Sequence, residues 1–221
     1  MRTKVPWAVV LVFSVFVVGA AAQPRVIPES EFSTVVSKGY DMLSTLPYRA
    51  QISDKTPIYG QQVSTEVLVL EVVEHQPPRR YRNVKIWKSE NGRRREEFVT
   101  IDGRTFRRTN EGPWSEDPVV KNRYTVKDDA LKVQETNSFR DLGSTELEGE
   151  KVHIFESIIK REYQPGASPF VSHEYLTRYW VAKDGRFVRA ETKTTGRQAV
   201  TFHSVTEYEY DPNIKIEAPI K

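Results

Sequence analysis

The chain has 221 residues, no cysteine, and 33 Lys+Arg against 30 Asp+Glu, a formal net charge of +3. The missing cysteine excludes disulfide staples, thiol catalysis, cysteine-ligated metal and a lipid anchor on a lipobox cysteine. The chain must therefore rest on its core alone, and its length suits a single domain large enough to build one.

Arg2 and Lys4 form a positive n-region, Val5 to Gly19 is apolar apart from Ser14, and Ala20-Ala21-Ala22 supplies small residues before Gln23. Those three parts predict a secretory signal peptide over residues 1–22. An uncleaved anchor is the alternative, but the apolar run is shorter than the ~20 residues needed to span a bilayer. Cleavage removes two cations and leaves 31 Lys+Arg against 30 Asp+Glu, a net +1. The expected product is a soluble, monomeric, periplasmic or secreted domain over residues 23–221. Nucleic acid is not expected as its partner, because an exported and near-neutral chain rarely meets it.

Pro24 to Pro28 reads as an extended leader. A helix opens at Pro28 or Ser30, with Glu29 and Glu31 in its first turn, where acidic side chains suit the helix dipole. Phe32, Val35, Val36, Tyr40, Leu43 and Leu46 follow at three- and four-residue spacings and form one apolar stripe. Pro47 ends the helix. The stripe belongs either to a helix packed on a sheet or to one that plugs or lids a curled sheet.

From Tyr48 onward the period is two. Tyr48 to Lys55 is a short strand. Val63 to Glu74 is a longer one, apolar on both faces through Val67, Leu68, Val69, Leu70, Val72 and Val73, which predicts cover on both sides. Pro77-Pro78 breaks it. Arg79 to Lys88 returns, Asn91-Gly92 signals a tight hairpin, and Arg93 to Thr100 follows. Asp102-Gly103 then joins two alternating runs, Phe98 to Ile101 and Thr105 to Arg108, because Asp and Gly tolerate the positive φ of the primed turns. Asn110-Glu-Gly-Pro113, Trp114 and Asp117-Pro118 close this unit, and nothing in it looks catalytic. Between Pro77 and Asn110 stand eleven Lys+Arg against four Asp+Glu, a local +7, while the segments on either side come to −3 each. This run is either a solvated hairpin face or a footprint for anionic headgroups, with Arg80, Arg82 and Arg107 as the candidate contacts.

Val119 to Ser138 is polar and reads as a loop with a short helix. Strands resume at Phe139 to Leu147, ending at Glu148-Gly149-Glu150, and at Lys151 to Tyr163. Gln164 to Pro169 is a turn. Val171 to Ala182 pairs back across Asp184-Gly185 to Arg186–Thr194, and after Thr195-Gly196 a last strand carries Val200, Phe202, Ser204, Thr206, Tyr208 and Tyr210 on one face. Ile214, Ile216 and Ile220 form an apolar tail. About ten antiparallel strands and one N-terminal helix make a mainly β, α+β fold. A sheet of that size must twist and curl, and the helix is the candidate to fill its concave side.

His153, His173 and His203 lie on second-half strands without the tight spacing of a zinc site, so neither metal nor cofactor is expected. Glu96-Glu97 point to opposite faces of a strand and make a poor acid/base pair. No nucleophile elbow or phosphate-cradling glycine loop appears, and no catalytic residue is assigned. Tyr175, Tyr179, Phe202 and Tyr208 are either a cavity lining or a filled core. The residues alone leave both open.

In chain order, the helix with Tyr48-Arg-Ala-Gln51, the strand running into Pro77-Pro-Arg-Arg-Tyr-Arg82, Asp102-Gly-Arg-Thr-Phe106, Gly112-Pro-Trp114, Leu142-Gly143 with Leu147-Glu-Gly149, and Tyr179-Trp-Val-Ala-Lys-Asp-Gly185 resemble the LolA-like and LppX/LprG-like superfamily of exported bacterial proteins. The resemblance covers nearly the whole chain after residue 22. It implies a half-open antiparallel barrel whose mouth is plugged by helices and whose cavity is hydrophobic. Members carry lipoproteins, lipids or other apolar molecules across the periplasm, or sense envelope components. The implied partner is an apolar, lipid-like ligand, with envelope proteins or a membrane surface as further partners. The implied cavity and lid residues are Phe32, Val36, Tyr40, Leu43, Tyr175, Tyr179, Phe202 and Tyr208. The chain departs from the superfamily at two points. It lacks the lipobox cysteine of the anchored branch, and no motif places the arginine that holds the lid in the LolA carrier, so that role is not assigned to Arg49. The competing expectation is a non-enzymatic interaction or sensor domain with a filled core.

Overall fold

The computed structural model describes residues 23–54, 66–89, 92–117, 133–163, 173–196 and 201–220. It opens with β1 (Arg25–Val26) and α1 (Glu29–Thr45), followed by β2 (Tyr48–Asp54), β3 (Glu66–Gln76), β4 (Arg80–Ser89), β5 (Gly92–Ile101), β6 (Arg104–Thr109) and β7 (Ser115–Asp117). The second half supplies β8 (Val133–Leu147), β9 (Glu150–Tyr163), β10 (His173–Ala182), β11 (Phe187–Gly196) and β12 (Thr201–Tyr210). These strands make one curled antiparallel sheet in the order β1-β8-β9-β10-β11-β12-β2-β3-β4-β5-β6-β7, with β1 and β7 as open edges.

Hairpins carry most of this order. Asp102 and Gly103 both take positive φ, 50° and 85°, and so do Glu148 and Gly149, at 53° and 84°. Those pairs turn β5 into β6 and β8 into β9 with the twist that adjacent strands require. The order departs from simple succession at two places. The returning chain lays β12 beside β2 through pairs such as Tyr208↔Ala50 and Tyr210↔Tyr48. The extended leader becomes β1, which pairs with β8 at Arg25↔Asp141 and Val26↔Arg140.

Two expectations are corrected. Residues 133–138, read as part of a loop with a short helix, are the start of β8 and pair with β9 from Val133↔Tyr163 onward. Polar residues dominate that stretch because Gln134 to Asn137 are exposed, so no apolar alternation marks the strand. The remainder of that region, residues 119–132, lies outside the described residues. The double cover expected for β3 is partial, since Leu70, Val72 and Val73 are half-buried rather than buried.

Each face of the sheet has its own cover. The inner face, defined as the one α1 packs on, holds a core of Phe155, Val181 and Phe187 against Ile27 and Phe32, with Val35, Val36, Leu43, Phe139, Tyr179 and Tyr208 around it. Gly39 brings α1 close, because a Cβ there would stand 2.2 Å from the Phe187 ring. The outer face is covered locally by the C-terminal tail, where Ile214 and Ile216 pack on Val99 with Ile101 and Trp114 alongside. Ile216 N–H donates to Gln76 Oε1 at 2.8 Å and its carbonyl accepts from Arg80 at 3.2 Å, which ties the tail down.

Candidate functional site

Much of the basic run resolves into ion pairs, the most extended set of them on the outer face. Glu97 is 2% exposed and is held by Arg82 at 2.7 Å, Arg108 at 2.7 Å and Arg95 at 3.0 Å. The chain of pairs continues from Arg82 to Glu74 (3.3 Å), from Glu74 to Arg49 (2.8 Å) and from Arg49 to Glu209 (3.3 Å), and so crosses six adjacent strands. Burial works against the Glu97 carboxylate, but its bonds to Arg108 and Arg82 and the charge of Arg95 outweigh it and hold its pKa below the ordinary value. Of the proposed headgroup contacts, Arg82 is thus engaged by two carboxylates and Arg80 by the tail, while Arg107 stands exposed on β6. Glu156, also buried, repeats the device with Arg178 at 2.7 Å and Arg140 at 3.6 Å.

On the inner face the structure brings most of the expected aromatic set together. Phe32 lies 4.9 Å from Phe139 and 6.2 Å from Tyr179, and Tyr179 stacks on Phe187 at 4.8 Å, all between ring centroids. Tyr208 lies 6.2 Å from Phe187, and the Tyr40 hydroxyl, itself on an exposed side chain, is 3.3 Å from that of Tyr179. Burial pushes the Tyr179 and Tyr208 phenols well up, with the Tyr40 contact adding to Tyr179. Tyr175 sits apart from this cluster, under the Arg161 guanidinium at 5.4 Å. The side chain of Phe202 lies outside the described residues. The aromatics under α1 pack on one another, and the space that stays open lies beside them.

Such a cleft lies along α1 at the end of the sheet where β8 turns into β9 and β10 into β11. Its volume is about 560 Å³, within the ~300–1,000 Å³ range of small-molecule pockets. Val35, Val152, Phe155, Val181 and Ala182 give it an apolar floor continuous with the core. Lys38, Lys151 and Lys183 stand round it with Ser144 and His153. Its geometry is set by tight turns. Gly185, at φ 103°, lets the Lys38 stem lie across the β10–β11 turn, because a Cβ there would be 2.5 Å from Lys38 Cε. A β-bulge in β8 between Asp141 and Gly143 re-aims the strand, and the Gly143 N–H donates to Asp141 Oδ1 at 2.8 Å.

His153 bridges two groups of β8, with Nε2 2.5 Å from Asp141 Oδ1 and Nδ1 3.0 Å from Ser144 Oγ. Burial alone would raise the Asp141 pKa, but the Gly143 N–H, His153 and Arg25 outweigh it and keep the carboxylate ionised below its usual range. The imidazole is thereby fixed in orientation between a carboxylate and a hydroxyl at the edge of the cleft. His203 pairs instead with Glu191, at 2.7 Å. Among the described residues no group of three or more His, Asp or Glu is arranged to hold a metal ion.

A second cleft of about 520 Å³ involves Arg49, Arg186, Glu148, Glu150, Glu207 and Glu209. Its cations are already neutralised, Arg49 by Glu74 and Glu209, Arg186 by Asp184 and Glu150. The first cleft combines an apolar floor with unneutralised charge and is the better candidate. Its lysines were not singled out from sequence, since they come from three distant segments. The signals that marked them were Gly39 beside Lys38 inside a helix, Glu148-Gly149 near Lys151, and Asp184-Gly185 after Lys183.

No protein-family model and no curated protein matches the sequence. Among solved structures the chain is similar to the lipoprotein LppX of Mycobacterium tuberculosis, with a TM-score of 0.51, 86% of this chain and 100% of that chain covered, and 10% sequence identity. Similarity at that identity is one of fold, and it gives this chain an LppX-like fold: an open, curled antiparallel sheet with a helix on its inner face.

Proposed function

We propose that the chain is an exported binding or carrier protein for an apolar, lipid-like ligand, acting outside the cytoplasm. The observation that carries this reading is the cleft of about 560 Å³ whose floor is continuous with the core under α1. Val152, Phe155, Val181 and Ala182 are themselves buried, so a shift of α1 is what would uncover this apolar floor, and each Å² that a ligand then covers favours binding by roughly 25 cal/mol. The LppX-like fold agrees with the sequence resemblance, whose superfamily carries such molecules. Thr34, Val35 and Lys38 put one wall of the cleft on α1, so a shift of the helix would open it and α1 acts as the lid.

The filled aromatic core around Phe187, which is fully buried, favours a second reading, an interaction or sensor domain that takes no ligand. Titration of the purified protein with a fluorescent apolar probe separates the two. Saturable binding of one probe per chain, competed by fatty compounds, supports the carrier. Absence of any saturable site supports the interaction domain.

A further inference from the structure

Three lysines line one cleft, and among the described residues no carboxylate does. Lys38 reaches it from α1, Lys151 from the start of β9 and Lys183 from the turn after β10. Of the acidic side chains nearby, three are already committed, and Glu146, opposite Lys151 in the β8–β9 register, is exposed to solvent. Asp184 accepts from Arg186 Nε at 2.6 Å, Glu150 from Arg186 Nη2 at 3.2 Å, and Asp141 holds His153 and Arg25. Like charges gathered with few counter-charges repel one another, so an anion that joins them is favoured. The Lys38 position is built rather than incidental. Its stem lies where any side chain at residue 185 would stand, and the φ of 103° at Gly185 disfavours such a side chain in any case.

We infer, building on the carrier reading, that the ligand is a single-chain amphiphile with an anionic head. The chain lies on the Val152, Phe155 and Val181 floor and the carboxylate or phosphate head is held by Lys38, Lys151 and Lys183. The size of the cleft fits one chain. At about the ~30 Å³ that a water-sized group occupies, about 560 Å³ takes one long fatty chain and a small head. Ser144 adds a hydroxyl at the same place, and His153 an imidazole.

The test measures the affinity of the purified protein for four probes of one chain length: palmitate, hexadecyl phosphate, methyl palmitate and hexadecanol. The expected result is that at least one anionic probe binds about tenfold or more tighter than both neutral ones, with the preference shrinking as salt is raised. The tighter of the two anions identifies the head as carboxylate or phosphate. The triple variant Lys38→Gln/Lys151→Gln/Lys183→Gln should lose that preference and keep its affinity for hexadecanol, while the corresponding triple Lys→Arg variant retains the preference. All three side chains are exposed, so folding should be unaffected, and a urea titration checks it. Equal affinity for anionic and neutral probes overturns the anionic head and leaves the carrier standing. An undiminished preference in the triple Gln variant overturns the assignment to these lysines. No binding of any probe overturns the carrier reading and this inference with it.

Discussion

Glu97 shows what a single residue can decide. Strand alternation in the stretch from Arg93 to Ile101 cannot distinguish a carboxylate in water from one buried under three guanidinium groups, because Glu97 shares its face with Arg93 and Arg95 on one side and with Val99 and Ile101 on the other. The register supplies the answer by setting Glu97 opposite Val84 and Arg108. Removing such a charge takes this partner from Arg95 and Arg108 and leaves Arg82 with Glu74 alone. Those partners are between 27% and 39% exposed, so Glu97→Gln is expected to cost roughly 2 kcal/mol rather than the larger loss of a fully buried pair. The pH dependence has a definite sign. A carboxylate with a depressed folded-state pKa contributes stability above its unfolded value of about 4.3, and that contribution is lost as pH falls through the folded-state pKa. Urea unfolding of the wild type should therefore weaken more than that of Glu97→Gln between neutral pH and about pH 3. Parallel loss in both proteins would mean that Glu97 is not ionised in the folded state.

The buried phenols titrate at the other end of the scale. Burial raises the pKa of Tyr48, Tyr179, Tyr208 and Tyr210, the last to about 12. Each stays neutral when folded and ionises when unfolded, so the stability they contribute is present below about pH 10 and is lost as pH rises toward their folded values. Phenolate absorbance should show these tyrosines silent until the chain unfolds in alkali, and then appearing together. Smooth titration of all tyrosines near pH 10 with the sheet intact would contradict their burial.

Among the elements, α1 was the most legible from sequence, with its stripe, its acidic first turn and its stop at Pro47. What the stripe could not show is how near the helix comes to the sheet. Gly39 interrupts a good helix pattern at a cost of about 0.5–1 kcal/mol relative to Ala. Its reason appears only against β11, where Phe187 occupies the space a Cβ would need. Gly39→Ala is accordingly expected to destabilise by about 1–3 kcal/mol through overpacking, opposite in sign to the usual helical Gly→Ala change. A stabilised variant in urea would show that α1 sits farther from β11. If α1 is the lid, Leu43→Asp should release it, since a charge against apolar surface costs several kcal/mol unless the helix moves away. The expected signature is a retained sheet spectrum with increased uptake of an apolar probe. Loss of sheet signal together with cooperative unfolding would make α1 structural instead.

Over the whole molecule, the turns were readable and the closure was not. Asp102-Gly103, Glu148-Gly149 and Asp184-Gly185 announce their hairpins through residues that accept positive φ or cap the turn. Nothing local in Tyr48 to Ala50 announces that β2 lies between β12 and β3, because a pairing across most of the chain is decided by global packing. The same holds for the cleft. Lys38, Lys151 and Lys183 come to one cleft only after the sheet has brought two hairpins under one helix, while Tyr179 and Tyr208, two of the aromatics that sequence offered as a lining, pack in the neighbouring core. The run from Val133 to Ser138 was missed for a simpler reason: an exposed strand has no apolar phase to read.

The central claim is that this sheet and helix hold a fatty ligand. It is tested most directly by extracting the protein purified from its native source and measuring co-purifying lipid by mass spectrometry. The account expects close to one fatty amphiphile per chain, absent from a variant in which Val181→Asp charges the floor of the cleft but which still folds. A folded wild-type protein that carries no lipid, and takes none up from native membrane extract, would contradict it.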